Sequence, residues 1–209
     1  RQMCISDRCK DDPRTTMQRR SDAVGALAAG ADRLMCTCGS SDCPAIGAGG
    51  VAPVVIHLLA EQATVEATGT TPGYLPGFGI QPAEAVRGIA ATAKLKPLAV
   101  PGAGAAPGYR PSAALSEFIR WRDLTCRWPG CDAPVCDVDH TVPYPAGPTR
   151  ASNLKLYCRL HHLVKTFYSG PNGWTESQTT EGTVIFTSPT GHRYTTEPAG
   201  ALLYPALST

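Results

Sequence analysis

The stretch Cys126-Arg-Trp-Pro-Gly-Cys131 and the later stretch Cys158-Arg-Leu-His161 decide the fold of the second half of this chain. Each stretch places two metal-binding side chains at the spacing of a zinc knuckle, the first across a Pro-Gly turn and the second where a helix begins. Three thiolates and one imidazole make the closed tetrahedral set of a structural zinc site. The sequence therefore predicts that zinc holds this small segment folded.

Two questions about the cysteines stay open at this point. Cys136 is an alternative fourth zinc ligand. In that case both His161 and His162 would be available to bind another metal ion, although the spacing of Cys158 and His161 fits a knuckle better. A further group, Cys36, Cys38 and Cys43, would form a second metal site if a fourth ligand joined it from among Cys4, Cys9 and His57. Nine cysteines, an odd number, favour metal thiolates over disulfides and hence a reducing compartment such as the cytoplasm.

A second set of polar residues lies among the predicted zinc ligands, namely Asp139, His140, Asn153 and His162. The first two end a predicted strand, the third precedes the apolar segment 154–157, and the fourth directly follows a zinc ligand. Neighbours on a helix point about 100° apart, so His162 faces away from that ligand. A carboxylate, two imidazoles and an amide around one helix are the groups that metal-assisted hydrolysis requires.

These residues resemble the HNH endonuclease motif, the ββα-metal finger. The chain is also similar to the 13E12-repeat family, in which a largely helical upstream domain precedes a C-terminal HNH nuclease domain. The matching stretches are Arg110-Pro-Ser, Asp123-Leu-Thr-Cys-Arg-Trp-Pro-Gly-Cys131, Asp137-Val-Asp-His-Thr-Val-Pro-Tyr144 and Cys158-Arg-Leu-His-His162. The resemblance extends from Asp12-Pro-Arg-Thr to the C-terminal hairpin.

The resemblance implies a metal-dependent enzyme that hydrolyses DNA phosphodiester bonds, leaving a 5′-phosphate and a 3′-hydroxyl. His140 would take a proton from the attacking water, and Asp139 and His162 would hold one Mg²⁺ or Mn²⁺. Asn153 would fix the loop that aims the base. The alternatives are a catalytically silent, zinc-stabilised DNA-binding module and a purely structural zinc protein; the intact set of four residues favours the enzyme.

Charge near the predicted finger agrees with a phosphate partner. The chain carries a net charge of +2, and residues 110–170 contain eight basic and five acidic residues. The candidate DNA contacts are Arg127, Arg150, Lys155, Arg159 and Lys165, although each is equally compatible with an ordinary solvated charge.

The predicted fold class is α+β, with a mixed upstream part, a zinc-stabilised ββα finger and a C-terminal β-hairpin. The predicted divisions are the end of an upstream domain (1–95), a Pro/Gly-rich linker (96–111), the HNH domain (112–170) and a hairpin extension (171–209). Helices are predicted over 12–30, from Pro82 to about Thr92, over 112–123 and from Cys158. Strands are predicted over 51–60, 64–70, 182–187 and 192–196, with a loop over 72–79.

A membrane partner is not expected. No apolar run approaches the roughly 20 residues of a membrane span, and the first residues lack the apolar segment of a secretory signal. The chain begins with Arg1 instead of Met, which is typical of a piece of a longer protein. The sequence does not indicate an oligomeric state.

Overall fold

The computed structural model describes residues 9–28, 30–31, 34–43, 45, 55–170 and 172–208. The chain divides into two compact units, Arg1–Ile56 and His57–Thr209. It is a mixed α/β protein with small antiparallel sheets, as the sequence predicts at that level. None of the helices in the described ranges is long and apolar enough to cross a lipid bilayer.

The first unit contributes helix α1 (Thr16–Ala28), and the remaining helices and strands belong to the second. The helices of the second unit are α2 (Gln62–Val65), α3 (Ala83–Ala90), α4 (Ala113–Asp123), α5 (Arg159–Tyr168) and α6 (Ala199–Leu203). Its strands are β1 (Gly73–Leu75), β2 (Gly79–Gln81), β3 (Asp137–His140), β4 (Leu154–Tyr157), β5 (Thr175–Gln178), β6 (Val184–Thr187) and β7 (Arg193–Thr196). The sheets are β1-β2, β3-β4 and β5-β6-β7.

Helix α1 begins later than the sequence predicts. Asp12 is not its cap, because α1 begins only at Thr16; the Asp12 carboxylate accepts from the Arg14 backbone N–H at 3.0 Å and guanidinium at 2.8 Å in the turn before the helix. Thr15 and Gln18 form a reciprocal capping box instead: the Gln18 N–H donates to Thr15 Oγ1 at 3.3 Å, and the Thr15 N–H donates to Gln18 Oε1 at 2.8 Å.

The segment before α3 corrects two further predictions. Residues 64–70 do not form a strand, because the chain turns through α2 and the buried Thr64 hydroxyl donates to the Thr71 carbonyl at 2.8 Å. The predicted loop over 72–79 is not all loop: it contains β1 and the first residue of β2, which pair as a hairpin. Of the predicted strand 51–60, residues 51–54 lie outside the described residues, and Leu59 makes an isolated pair with Tyr74.

Helices α3 and α4 confirm the sequence prediction. Ser112 caps α4 by accepting a hydrogen bond from the Leu115 N–H at 3.2 Å. Leu115, Phe118 and Ile119 lie one turn apart on the buried face of α4. They pack into a core with residues of β4, β6 and the C-terminal segment.

Strands β3 and β4 pair antiparallel, with His140 opposite Leu154, and are followed directly by α5. We call residues 137–168 the ββα unit. All four residues of β4 are buried, which fits the short apolar pattern that predicted this strand.

The C-terminal hairpin of β6 and β7 is also confirmed, but it belongs to a three-stranded sheet. Strand β5 has the sequence Thr-Glu-Ser-Gln, which contains no apolar residue, so periodicity gave no signal for it. The division at residues 96–111 stays a prediction. Within the second unit, Lys96 pairs with Glu117 at 2.6 Å, and Ala106 forms a bridge with Thr149.

A buried ionic cluster connects these elements. We call Arg122, Asp123 and Arg127 the Asp123 cluster; the Asp123 carboxylate accepts from Arg122 Nε at 2.7 Å, Arg127 Nη1 at 3.1 Å and the Leu156 N–H at 2.9 Å. The two guanidinium groups also donate to the backbone oxygens of Ala151, Leu154, Gly182 and Thr196. All three side chains are buried, so each charge is stable only as long as these ion pairs and hydrogen bonds are kept.

We expect Asp123→Asn to lower the free energy of unfolding by about 3–5 kcal/mol, because it leaves two buried guanidinium groups without a counter-charge. Urea unfolding followed by circular dichroism measures the change. Asp137→Asn, at an exposed carboxylate on β3, is the control and should change stability by about 0.5 kcal/mol or less. Equal stabilities of the two variants would contradict the role of the cluster.

Candidate metal centre and histidine site

The two knuckle stretches meet in one cluster of ligands. The sulfurs of Cys126, Cys131 and Cys158 and a ring nitrogen of His161 all lie within 4.8 Å of one another. The Pro-Gly turn brings the first pair together, since Gly130 takes a φ of 74° and the Cys131 N–H donates to the Trp128 carbonyl at 3.0 Å. The cluster can hold a metal ion such as zinc, as the sequence predicts.

The aromatic ring of Trp128 orients the histidine ligand. It stacks on the His161 imidazole with the centroids 4.9 Å apart and the planes within 3°. His161 Nδ1 lies 3.3 Å from Cys158 Sγ and 3.5 Å from Cys126 Sγ. Cys136 lies outside this ligand set and its thiol donates to the Ala133 carbonyl at 3.1 Å, so the geometry favours His161 as fourth ligand.

The protonation of the cluster depends on burial and on the start of α5. Burial raises the pKa of the Cys126 thiol to about 12 and lowers the pKa of His161, which keeps the imidazole neutral and able to bind a metal. At Cys158 burial opposes ionisation, but hydrogen bonds from the N–H groups of His161 and Leu160 and from neighbouring thiols lower its pKa overall. A thiolate at a helix N-terminus is a favourable metal ligand.

His140, at the end of β3, is held in a defined orientation. Its Nε2 lies 2.9 Å from the Thr149 hydroxyl, which donates its own hydrogen to the Gly108 carbonyl at 2.7 Å. The hydroxyl therefore accepts from Nε2–H, and Nδ1 carries the free lone pair. Tyr109 stacks over the imidazole at 5.3 Å, and only 4% of His140 is exposed. Burial lowers its pKa, so the ring is neutral at neutral pH.

Asn153 fixes the loop that follows His140. Its side-chain oxygen accepts from the Val142 N–H at 2.8 Å, and its amide nitrogen donates to the carbonyls of Val142 and Pro148 at 3.0 and 2.9 Å. The three hydrogen bonds of this side chain all go to the loop backbone.

Asp139 and His162 face each other across β3 and α5. Asp139 Oδ1 lies 3.9 Å from His162 Nε2, a separation at which both could bind one ion. The other carboxylate oxygen is paired with Lys165 Nζ at 2.7 Å, and the same ammonium group donates to the His140 carbonyl and pairs with Glu176 at 3.1 Å. His162 Nδ1 is buried without a hydrogen-bond partner among the residues that the structure describes.

The predicted phosphate contacts divide by exposure. Arg127 belongs to the Asp123 cluster, and Lys155 is buried with its Nζ bonded to Thr141 Oγ1 at 2.9 Å and to Glu176 at 2.8 Å. The prediction that these two side chains contact phosphate is therefore wrong, because neither reaches the surface. Arg150 and Arg159 are exposed. The Lys165 ammonium group is paired with the carboxylates of Asp139 and Glu176.

Sequence reasoning missed three residues of the site. Thr149 and Tyr109 hold and cover His140 from segments that carry no motif for that role. Glu176 accepts hydrogen bonds from Lys155 and from the Tyr157 hydroxyl, yet it lies on β5, which the sequence did not predict. Tyr109 and Glu176 contact residues in distant parts of the chain, and Thr149 reaches His140 across the loop between β3 and β4, so no motif spacing signals these contacts.

Comparison with known proteins places the chain in a family. The Domain of unknown function (DUF222) matches residues 1–123, and the chain therefore belongs to the DUF222 family. The uncharacterized proteins Rv3776 and Rv2100 of Mycobacterium tuberculosis are 47% and 44% identical to it, each over 96% of this chain. Each match covers 44% of the relative, so the chain spans less than half the length of these proteins. No solved structure matches the chain.

We expect Cys158→Ser to abolish amide protection in β3, β4 and α5, because a small unit that is stabilised by a metal loses its fold when a ligand is removed. Hydrogen exchange measured by mass spectrometry compares this variant with Cys136→Ser, which keeps a donor to Ala133 and lies outside the ligand set. The control should retain native protection. Equal protection in the two variants would show that the metal cluster does not hold the ββα unit.

Proposed function

We propose that this chain is part of an HNH-type endonuclease that hydrolyses DNA phosphodiester bonds with the help of a divalent ion. One observation carries the proposal: an oriented, neutral His140 lies next to the facing pair Asp139 and His162, within a strand-strand-helix unit beside a four-ligand metal cluster. This is the order of elements and ligands in the ββα-metal finger that the sequence resembles.

The family assignment is compatible with this proposal. In the 13E12-repeat proteins that the sequence resembles, a helical upstream domain of unknown role precedes the nuclease domain. The DUF222 match ends at Asp123, immediately before the first knuckle cysteines, and the candidate site follows it. The proposed base and the proposed metal ligands would then all lie beyond the matched region, while Tyr109, which stacks on His140, lies within it.

In the proposed reaction His140 is the general base. Its Nε2–H is bonded to Thr149, so Nδ1 is the nitrogen that can accept a proton from the attacking water. The depressed pKa of His140 keeps this nitrogen unprotonated at neutral pH. Tyr109 stacks on one face of the ring, and His140 remains 4% exposed.

Asp139 and His162 would hold the catalytic Mg²⁺ or Mn²⁺, with water and phosphate oxygens as its other ligands. Such an ion stabilises the charge that develops on the phosphate and on the leaving oxygen. The carboxylate and the imidazole suit this role because they lie on different elements and converge at 3.9 Å. Asn153 keeps His140 in place without touching the reacting atoms.

DNA is the proposed substrate, and the exposed Arg150 and Arg159 are the remaining candidates for its phosphate contacts. Arg150 follows Thr149, the hydroxyl partner of His140, and Arg159 begins α5. Contacts of this kind position the backbone of the nucleic acid and carry no sequence information.

A second candidate function is a zinc-stabilised DNA-binding module that no longer cleaves. The observation that favours it is the ammonium group of Lys165, which occupies one oxygen of Asp139. The burial of His140 beneath Tyr109 points in the same direction. A divalent ion between Asp139 Oδ1 and His162 Nε2 would have to bind a carboxylate that already carries the Lys165 ammonium group on its other oxygen.

We expect the intact chain to cleave supercoiled plasmid in the presence of Mn²⁺ or Mg²⁺, and His140→Ala to lower the rate by at least about 10²-fold, because the general base is lost. His192→Ala is the matched control, since His192 is exposed in the loop between β6 and β7. The zinc content of all three proteins should agree, and His140→Ala should lower the unfolding midpoint without unfolding the chain at the assay temperature, because His140 is buried. Equal cleavage by both variants would overturn the role of His140. DNA binding without cleavage by the intact chain would favour either the silent module or a requirement for parts of the protein outside this chain.

Lys165→Met should tighten Mn²⁺ binding by about tenfold, because it removes a charge-assisted hydrogen bond that competes for the Asp139 carboxylate. Electron paramagnetic resonance of free Mn²⁺ measures the dissociation constant directly. Lys94→Met, at an exposed lysine outside the site, provides the control. Unchanged Mn²⁺ affinity with a raised KM for DNA would instead assign Lys165 to phosphate binding.

A further inference from the structure

A second cluster of thiols lies in the first unit, apart from the residues of the proposed nuclease. The sulfurs of Cys9, Cys36, Cys38 and Cys43 all lie within 4.8 Å of one another. Cys9 precedes α1 and the other three cysteines follow it, so the cluster connects the two segments that flank the helix. Of the three candidates for a fourth ligand in the sequence, the structure brings in Cys9; Cys4 lies outside the described residues, and His57 is not in the cluster.

The backbone around these sulfurs has the form of a metal knuckle. Gly39 takes a φ of 75° directly after Cys38, which turns the chain back toward Cys43. The Cys38 N–H points at Cys36 Sγ at 3.4 Å, and the Asp11 N–H points at Cys9 Sγ at 3.4 Å. N–H groups directed at sulfur stabilise the negative charge of a thiolate and orient it for a metal.

An ion pair near the cluster connects the segment that contains Cys9 with the segment that contains Cys36. The Arg14 guanidinium is bonded to the Asp12 carboxylate at 2.8 Å and donates to the Met35 carbonyl at 2.5 Å. These contacts link the residues next to Cys9 with the residue before Cys36. The four thiols are therefore arranged by contacts that do not involve the sulfurs themselves.

Within the described residues of the first unit, the buried side chains do not form an apolar core. In its described part the buried residues are Arg19, Ala31 and Cys43. The large apolar side chains of α1 are exposed: Met17 by 80%, Val24 by 68% and Leu27 by 54%. Small folds without a sufficient core depend on a metal or a disulfide.

We propose that Cys9, Cys36, Cys38 and Cys43 bind a second structural zinc ion, which holds the first unit folded. Zinc replaces the thiol protons, which pass to solvent, and the step needs no oxidant. Soft thiolate ligands in a closed set of four select zinc over Mg²⁺ or Mn²⁺. The site is independent of the proposed nuclease and of the cluster at Cys126.

Native mass spectrometry of the 209-residue chain, purified with zinc and a thiol reductant, tests this proposal. We expect two zinc ions in the intact chain, one in Cys38→Ser and two in Cys136→Ser, whose thiol lies outside both clusters. Cys158→Ser should also retain one ion, and it reports the other cluster separately. Cys38→Ser with the same zinc content as the intact chain would overturn the proposal.

Thiol alkylation of the intact chain decides the matter even if a variant does not fold. With zinc bound, Cys9, Cys36, Cys38 and Cys43 should resist iodoacetamide, and a chelator should make all four reactive. Rapid labelling of these four thiols in the zinc-loaded chain would refute the site. So would their recovery as disulfides under the reductant, visible as a loss of two mass units per bond. Neither result bears on plasmid cleavage, so the two proposals fail separately.

Discussion

The second unit depends on a single buried carboxylate. Asp123, at the end of α4, is held between the guanidinium groups of Arg122 and Arg127 and accepts the Leu156 N–H of β4. Arg127 directly follows the zinc-ligand candidate Cys126, and Arg122 donates to the carbonyls of Ala151 and Leu154 on either side of Asn153. The four-ligand metal cluster and the β3–β4 pair that carries His140 are thus both positioned by the Asp123 cluster, although each contacts different residues of it. The match to the DUF222 family ends at this aspartate, so the last helix of the matched region anchors the elements that follow it.

The adjacent residues His161 and His162 face the metal cluster and the proposed catalytic site, respectively. His161 turns toward the thiols and stacks on Trp128, while His162 faces Asp139. Consecutive residues of a helix point in different directions, so one turn of α5 supplies a ligand to the metal cluster and a candidate ligand to the proposed catalytic ion. A metal that fixes His161 would therefore also fix the direction of His162. Lys165, one turn further along α5, pairs with Asp139 and makes the proposed catalytic site responsive to the competition between its ammonium group and a divalent cation.

Local patterns in the sequence predicted the parts of the structure that depend on near neighbours. The knuckle spacings identified the metal cluster, the short apolar runs identified β3 and β4, and Ser112 identified the start of α4. Contacts that no motif spacing signals determined what was missed: Thr149 bonds to His140 across the loop between β3 and β4, and Glu176 bonds to Lys155 from the polar strand β5. Arg127 and Lys155 look like surface charges in the sequence. Lys155 is buried against Glu176 on β5, and Arg127 is buried against the nearby Asp123 and the distant carbonyls of Gly182 and Thr196.

The most direct test of the proposed function is the chemistry of the product ends. A duplex oligonucleotide is incubated with the chain and Mn²⁺, and the ends of any fragments are identified by mass spectrometry and by direct resealing with a DNA ligase. Hydrolysis by water that is activated at His140 predicts 5′-phosphate and 3′-hydroxyl ends, which the ligase reseals without further treatment. Fragments with 3′-phosphate ends, or no fragments from a chain that retains its zinc, would contradict the assignment of Asp139, His140 and His162 to an HNH nuclease.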